Sequence, residues 1–152
     1  MVQPSMLKKY ALFGGLTEEQ IENILLFMQE EKFEQNEILI TEGNYNDKIY
    51  FLIEGQVNVT RNGVLLARFV EGENFGEIEV LDVMPASASI KADSSVSVLS
   101  LSNTSLRDIY KKDAMAFSLM IMNLARDLCR RLRRMDEKLT SSTTGDTFLP
   151  LE

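Results

Sequence analysis

The segment from residue 30 to residue 101 consists of short β-rich runs separated by turn-forming residues, and this pattern restricts the fold more than any other feature of the chain. Branched and aromatic residues dominate runs such as 48–53 and 96–101, and the breaks fall at glycine or asparagine. The Asn62-Gly63 pair between two such runs is typical of a two-residue hairpin turn. Short strands about ten residues apart predict an antiparallel β-roll.

Helical patterns lie on both sides of this roll. Residues 5–13 are predicted to form a short helix that ends at Gly14-Gly15, because glycine takes positive φ values without steric cost. Thr17 and Gln20 have the spacing of a capping box, which predicts the start of a second helix. After the roll, Ser102 or Asn103 is a suitable N-cap for one helix and Asp113 for a longer one.

The fold class expected is mainly β with flanking helices, in one domain over residues 1–139. Its predicted parts are N-terminal helices at 5–29, an antiparallel β-roll or jelly roll (double-stranded β-helix) at 30–101, C-terminal helices at 102–139, and a linker-like tail at 140–152.

The predicted last helix carries an apolar stripe whose members lie three or four residues apart, which keeps them on one helix face. These residues are Phe117, Ile121, Leu124, Leu128, Leu132, Met135 and Leu139. The stripe is long enough to extend past the end of a small roll, so we interpret it as the interface of a homodimer. The alternative is a helix packed along its own roll. Cys129, beside Leu128, is expected to be buried or half-buried.

Composition excludes several classes of function. The 152 residues include no histidine and one cysteine, which rules out histidine-ligated metal sites, a Ser-His-Asp triad, a zinc cluster within one chain and an internal disulfide. Chemistry that uses carboxylates alone stays open, but most of the usual catalytic sites are excluded. We therefore expect no enzyme, no metal and no cofactor.

Charge and hydropathy narrow the partners and the location. The net charge of −7 argues against direct nucleic-acid binding, although residues 124–138 hold six basic residues against three acidic ones. No run is apolar enough to span a membrane, and residues 1–13 lack a secretory signal pattern. We expect a cytoplasmic protein without a membrane partner.

The stretch 75–92, called here the cassette segment, reads FGEIEVLDVMPASASIKA. It resembles the phosphate-binding cassette of cyclic-nucleotide-binding domains, the superfamily that includes the bacterial CRP/FNR-like regulators. The matching positions are Phe75, Gly76, Glu77, Ile78, Leu81, Pro85, Ala88, Ser89 and Ile90. The residues before the cassette segment are also similar to this family, at Phe33, Asn36-Glu37, Leu39, Glu42-Gly43, Asp47, Tyr50–Ile53, Gly55 and Val57.

The resemblance implies a set of ligand-binding positions. Gly76 would offer its backbone, Glu77 would bind the ribose 2′-hydroxyl, and Ser87 and Ala88 would present N–H groups to the cyclic phosphate. Phe75 and Ile78 belong to the same segment and, with Leu81 and Ile90, are expected in the core.

The sequence departs from the family at two ligand positions. The arginine that pairs with the cyclic phosphate is replaced by Ala86, and no lysine or arginine occurs between Arg68 and Lys91, where five acidic residues occur. In the bacterial activators the dimer helix places small hydroxyl residues on the base, whereas this chain has Met135 and Asp136 there. Arg61, Arg68, Arg107 or an arginine of the last helix could replace the missing charge.

These observations predict a regulatory or sensory cyclic-nucleotide-binding-like module that dimerises and signals to an effector protein, without the usual binding of cAMP or cGMP. The residues after Leu139 are too few for the helix-turn-helix that follows this helix in activators. Three alternatives stay open: a structural docking domain with a vestigial pocket, a cAMP or cGMP binder that uses another basic residue, and a sensor excised from a larger protein. The ligand, if any, and the effector are not identified by the sequence.

Overall fold

The structure is a computed structural model that describes residues 2–143. Five α-helices occur in this range: α1 (Pro4–Leu7), α2 (Glu18–Leu25), α3 (Glu77–Asp82), α4 (Asn103–Lys112) and α5 (Ala114–Thr143). The strands are β1 (Gln29–Phe33), β2 (Ile38–Ile40), β3 (Lys48–Glu54), β4 (Val57–Arg61), β5 (Val64–Phe69), β6 (Asn74–Phe75), β7 (Ser89–Ala92) and β8 (Val96–Ser102). The mainly β architecture with flanking helices is confirmed.

The strands form two four-stranded antiparallel sheets, which together make the β-roll. One sheet has the order β1-β8-β3-β6 and the other the order β2-β7-β4-β5. Neighbouring strands are therefore mostly far apart in sequence, as in a jelly roll. The cassette helix α3 follows β6 directly, so one end of the first sheet positions the start of the cassette segment.

Turn residues in the roll adopt the conformations that their sequence favours. Asn62 and Gly63 have φ values of 50° and 77°, as a primed hairpin turn between β4 and β5 requires. Asn36 has a φ of 75° and donates its backbone N–H to the Ala92 carbonyl. Asparagine tolerates this left-handed conformation better than most other residues do.

Two hydrophobic clusters stabilise the domain. One fills the inside of the roll and includes Tyr50, Phe75 and Ala86. The other packs the helices against the outer face of the β1-β8-β3-β6 sheet and includes Phe51 and Leu124. Burial of these apolar side chains holds the helices on the roll.

Side-chain caps define the helix starts. Thr17 and Gln20 form the predicted capping box of α2. The Ser102 hydroxyl accepts a hydrogen bond from the Ser105 N–H at the start of α4, and Asp113 accepts one from the Ala116 N–H at the start of α5. The predicted caps at Ser102 and Asp113 are confirmed, each satisfying a backbone donor that the helix leaves open.

The prediction of one helix over residues 5–13 was wrong. The chain forms α1 and then a separate 3₁₀ turn at Ala11–Phe13. The break allows Leu7, Leu12 and Phe13 all to be buried, which one continuous short helix would not do. Gly15, with a φ of 79°, provides the left-handed conformation after the turn, whereas Gly14 does not.

The last helix is longer than predicted, since α5 continues past Leu139 to Thr143. The hydroxyl groups of Thr140, Ser141 and Ser142 donate hydrogen bonds to backbone carbonyls of the preceding turn. Residues that suggested a linker by composition therefore support the helix. The rest of the predicted tail lies outside the described residues.

We expect Gly55→Ala to lower the free energy of unfolding by about 2–4 kcal/mol, because a left-handed backbone and a steric clash add together. Gly55 has a φ of 92°, and a Cβ there would lie 2.3 Å from the Ser95 carbonyl oxygen. Urea unfolding followed by circular dichroism measures the effect.

Gly63→Ala is the matched control. Gly63 also has a positive φ, but a Cβ there would meet no atom within 4 Å. Its cost should be about 1 kcal/mol, that of the backbone conformation alone. Equal losses for the two variants would contradict the steric argument.

Candidate ligand-binding site at the cassette helix

Gly76 positions the start of the cassette helix. Its φ of 83° turns the chain from β6 into α3. A Cβ at Gly76 would lie 2.5 Å from the Lys48 carbonyl oxygen and 2.9 Å from the Asn46 amide nitrogen. That amide donates hydrogen bonds to the carbonyls of Lys48 and Gly76. The positive φ and the lack of space for a Cβ therefore both require glycine here. The turn at Gly76 fixes the direction of the next residue, Glu77.

Glu77 is the centre of a buried polar cluster, and its residue surface is 1% exposed. The Arg131 guanidinium, from α5, donates a hydrogen bond of 2.7 Å from Nη1 to Glu77 Oε1. Arg131 Nη2 donates to the Asn74 carbonyl and lies 2.8 Å from Asp127 Oδ2, one helical turn earlier on α5. The guanidinium also lies over the Phe69 ring, 4.5 Å from its centroid. This arginine thus joins α5 to the cassette helix and to the end of β5.

Burial raises the pKa of the Glu77 carboxyl above its ordinary value of 4.5. The positive charge of Arg131 acts in the opposite direction and lowers that pKa, while the negative charge of Asp127 raises it. Desolvation is the largest of these effects. Ionisation of Glu77 therefore costs more free energy in the folded protein than in water.

Several buried polar atoms in this cluster have no hydrogen-bond partner among the described residues. They are Glu77 Oε2, Asn74 Nδ2 and Arg131 Nε. Asn74 lies close enough to lower the pKa of Glu77, but its amide nitrogen reaches no acceptor at hydrogen-bonding geometry. Most buried polar groups in folded proteins are paired, so three together call for an explanation.

The structure places Ala86, where the resemblance implies an arginine, in the interior of the roll. It is 3% exposed and belongs to the same apolar cluster as Phe75. Its backbone N–H donates to the Asn44 carbonyl and its carbonyl accepts from the Gly43 N–H. Two backbone hydrogen bonds hold this position, and its side chain is an uncharged methyl group.

The other predicted positions of the cassette segment differ in their surroundings. Phe75 is buried and stacks on Tyr50, as expected for a core residue. Ser87 is exposed and Ala88 half-buried. The prediction that Ile78 and Leu81 lie in the core was wrong, since they are 51% and 49% exposed. Helix α3 has fewer than two turns; it buries Glu77 and Val80 and exposes its other face.

Met135 and Asp136 lie on the exposed second half of α5, and Met135 is 60% exposed. Neither takes part in the contacts that surround Glu77. Sequence reasoning considered an arginine of this helix without choosing one, and it missed Asp127 and Asn74. The i, i+4 spacing of Asp127 and Arg131 was a signal for an ion pair on one helix face.

The apolar stripe of α5 divides into two parts. Leu124 is buried in the chain's own core, with Phe117 and Ile121 packed against it, so the first part serves the fold. Leu132 and Met135 are both 60% exposed, and Leu139 is 63% exposed. Leu128 lies at the transition and is half-buried. The expectation that Cys129 is buried or half-buried was wrong, because the cysteine is exposed.

A groove of about 420 Å³ runs beside the cassette helix. Val80 and Leu81 of α3 line one side, and Phe117 and Ile121 of α5 line the other, with residues of α4 between them. The cassette helix thus borders an open space on the side that faces α5. Within residues 2–143, no three histidine, cysteine or acidic side chains converge as metal ligands would, and no helix is long and apolar enough to cross a membrane.

Comparison with known proteins identifies the family. The family model of the cyclic nucleotide-binding domain matches residues 30–113, which is more than half of the chain. The fold and the match define a regulatory binding domain. The chain belongs to the cyclic nucleotide-binding domain family.

Two relatives illustrate the range of this family. The chain is 32% identical over 98 residues to a cAMP-dependent protein kinase regulatory subunit of Yarrowia lipolytica, covering 64% of this chain and 26% of that one. It is 28% identical over 142 residues to the cyclic AMP receptor protein of Thermus thermophilus, covering 88% and 62%. The chain thus spans less than two thirds of either relative.

Solved structures agree on the fold. The Thermus thermophilus catabolite activator protein matches with a TM-score of 0.76 and 29% identity, over 88% of this chain and 63% of that one. A cyclic nucleotide-binding domain from Methylobacillus flagellatus matches with a TM-score of 0.82 and 24% identity, over 99% and 85%.

We expect the stability of the wild type relative to Glu77→Gln to rise as the pH falls from 7 toward 4.5. The raised pKa means that the folded protein binds the Glu77 proton more tightly than the unfolded chain does. The stability from this proton is fully present below pH 4.5 and is lost as the pH rises through the raised pKa. Urea unfolding of both proteins across this pH range measures the difference.

Glu79→Gln, on the same helix, is the control for removing one carboxylate. The difference in free energy of unfolding between Glu79→Gln and the wild type should not show the pH dependence expected for Glu77→Gln. A stability difference at Glu77 that falls with falling pH would mean that the attraction of Arg131 outweighs desolvation.

Proposed function

We propose that this protein is a sensory module in which the state of the cassette site is passed to α5, and from there to a second copy of the chain and an effector protein. We further propose that the site does not bind cAMP or cGMP in the family's usual way. The observation that carries both proposals is the buried contact between Arg131 and Glu77, together with an alanine at position 86.

The contact between Arg131 and Glu77 links the cassette site directly to α5. A ligand that bonds to the Glu77 carboxylate changes its pairing with Arg131, and Arg131 is part of α5. The groove between α3 and α5 leaves the cassette helix room to move relative to α5. A ligand that binds one arrangement of these helices better than another shifts the equilibrium between them.

The charges at the site oppose an anionic ligand. Arg131 is the cation of the cluster, and it is already paired with two carboxylates, Glu77 and Asp127. Ala86 adds no charge. An anion sequestered without a charged partner loses about 3–5 kcal/mol, which is about two to four orders of magnitude in affinity. Arg68 does not lie in the cluster; it pairs with Asp93 and Asn58.

We expect calorimetric titration of the wild type with cAMP or cGMP to give no binding in the micromolar range, and Ala86→Arg to gain at least about 100-fold in affinity. The gain would come from the single charge that the site lacks. Arg68→Ala is the control, and it should not change the result. Tight binding of cAMP by the wild type would contradict the charge argument.

A second function, that of a docking domain with a vestigial pocket, is favoured by the same Arg131. Its guanidinium bonds to the Glu77 carboxylate, the group to which a ligand would otherwise bond. The titration with cAMP and cGMP distinguishes the two functions. If Ala86→Arg stays silent with both nucleotides, the pocket is closed and the sensory function is wrong.

The second half of α5 supports the proposal of a homodimer. Leu132 and Met135 expose apolar surface at the helical spacing of one face, and arginines flank it. A second α5 against this face would remove that surface from water. In such a dimer the predicted interface reduces to Leu128 and the residues beyond it, since Phe117, Ile121 and Leu124 already pack within the chain.

We expect sedimentation velocity to show the wild type at twice the chain mass of 17.3 kDa, and the double variant Leu132→Gln/Met135→Gln at the single mass. The polar amides remove the apolar contact without adding charge. Arg130→Gln/Arg134→Gln alters the opposite face of the same helix segment and should stay dimeric. A monomeric wild type would show that α5 has another role.

A further inference from the structure

We propose that two copies of the chain pair α5 against α5 in parallel, through a face of the helix that points away from the chain's own roll. This inference rests on the proposed function, which includes a homodimer, and it adds the contact surface and the orientation of the two helices. The surface is called here the outer stripe. It consists of Met115, Ser118, Met122, Ala125, Cys129, Leu132, Asp136 and Leu139.

The spacing of the outer stripe is that of a helix paired with another helix. Its members lie alternately three and four residues apart, which is a heptad repeat. Every member is exposed, including Met115 at 67% and Met122 at 52%. A mostly apolar heptad face that is exposed in one copy of the chain fits the same face of a second copy.

The outer stripe lies opposite the face of α5 that serves the chain's own core. Ala116, Met120 and Leu124 are buried in that core. Cys129 and Arg131 are two residues apart on a helix of 3.6 residues per turn, so their side chains point in nearly opposite directions. Helix α5 therefore holds Glu77 with one face, through Arg131, and has the other face available for a second α5.

The length of the outer stripe also favours this surface. The exposed apolar residues from Leu128 to Leu139 alone span about 17 Å of helix, whereas the outer stripe spans about 36 Å, at a rise of 1.5 Å per residue. A specific protein interface buries about 800 Å² on each partner. The longer stripe offers about twice the contact surface of the shorter one, so it is better matched to a stable dimer.

The residues beside the outer stripe distinguish parallel from antiparallel pairing. Arg126 and Arg133 border it on one side, and Ile121, Leu128 and Met135 border it on the other. In a parallel pair the arginine side of one helix meets the apolar side of the other, so the arginine stems cover apolar groups while the charges reach water. In an antiparallel pair like sides meet, which sets arginine against arginine. The charges favour the parallel pair.

The polar members of the outer stripe are compatible with this contact. The Ser118 hydroxyl donates a hydrogen bond of 2.8 Å to the Ala114 carbonyl, so its donor stays paired when the face is covered. Asp136 is the charged member, and the two copies of it would face each other near the end of the stripe. A single polar residue in a heptad face costs stability and fixes the register of the two helices.

Cys129 is the chain's single cysteine, so its thiol reports directly on the contact. In the proposed dimer the two thiols face each other, at the short Cα separation that a disulfide needs. On treatment with diamide the two thiols lose two protons and two electrons, the disulfide forms, and diamide is reduced to the hydrazine. We expect the full chain at micromolar concentration to form a linked dimer at least about 100-fold faster than the control below, because paired thiols have a high effective concentration. Electrophoresis without reductant measures the rate.

The control is Cys129→Ser/Arg130→Cys, which moves the thiol one position along α5 and off the outer stripe. Equal rates for this variant and the wild type would overturn the inference. Cys129→Ser/Ser118→Cys tests the orientation, because position 118 meets its own copy only when the helices are parallel and in register. We expect it to be linked as fast as the wild type, and failure to link would overturn the parallel arrangement.

Met122→Gln tests the energetic role of the stripe without a thiol. We expect its dimer dissociation constant in sedimentation equilibrium to rise at least about 10-fold, because each copy loses a buried apolar group. Met6→Gln, at a methionine of α1 that is 56% exposed, is the matched control and should leave the constant unchanged. Circular dichroism confirms that each variant is folded. Equal constants for the two variants would overturn the role of the outer stripe.

The outcomes also separate this inference from the function on which it rests. If the wild type sediments as a single chain, the homodimer and the outer stripe both fail. If the wild type is a dimer but Cys129 does not link faster than the control, the homodimer stands and the outer stripe is wrong.

Discussion

The contact between Arg131 and Glu77 is the interaction on which the organisation of this molecule depends. A carboxylate that is 1% exposed is costly unless a charged partner compensates it, and α5 supplies that partner. The same guanidinium bonds to the Asn74 carbonyl, pairs with Asp127 and lies on the Phe69 ring. One side chain therefore connects the long helix to the cassette helix and to both sheets of the roll.

This arrangement bears on the ligand site that we propose for the chain. Position 86 holds a buried alanine, which adds no charge, and Arg131 of α5 is paired with two carboxylates. The cluster also contains buried polar atoms without a hydrogen-bond partner among the described residues. We propose for this reason that an anion is not the preferred ligand of the site, while the contact between α3 and α5 is kept.

Local sequence patterns predicted the roll, its turns and the helix caps correctly, because each depends on residues that are close in the chain. Asn62-Gly63 forms its hairpin turn, and Thr17 and Gln20 form their capping box. Errors arose where tertiary packing decided the outcome. The break within residues 5–13 follows from the burial of Leu7, Leu12 and Phe13, and the exposure of Ile78, Leu81 and Cys129 follows from which helix faces meet the core.

The sequence by itself determined the fold class and the family, since both follow from the spacing and identity of residues along the chain. The tertiary structure alone decided which helix arginine reaches the cassette. Arg131 and Glu77 are 54 residues apart, and five arginines occur between residues 126 and 134. The rotation of α5 about its axis selects one of them. Packing of Leu124 and the hydrogen bonds from Asn123 to the carbonyls of Leu12 and Gly14 set that rotation.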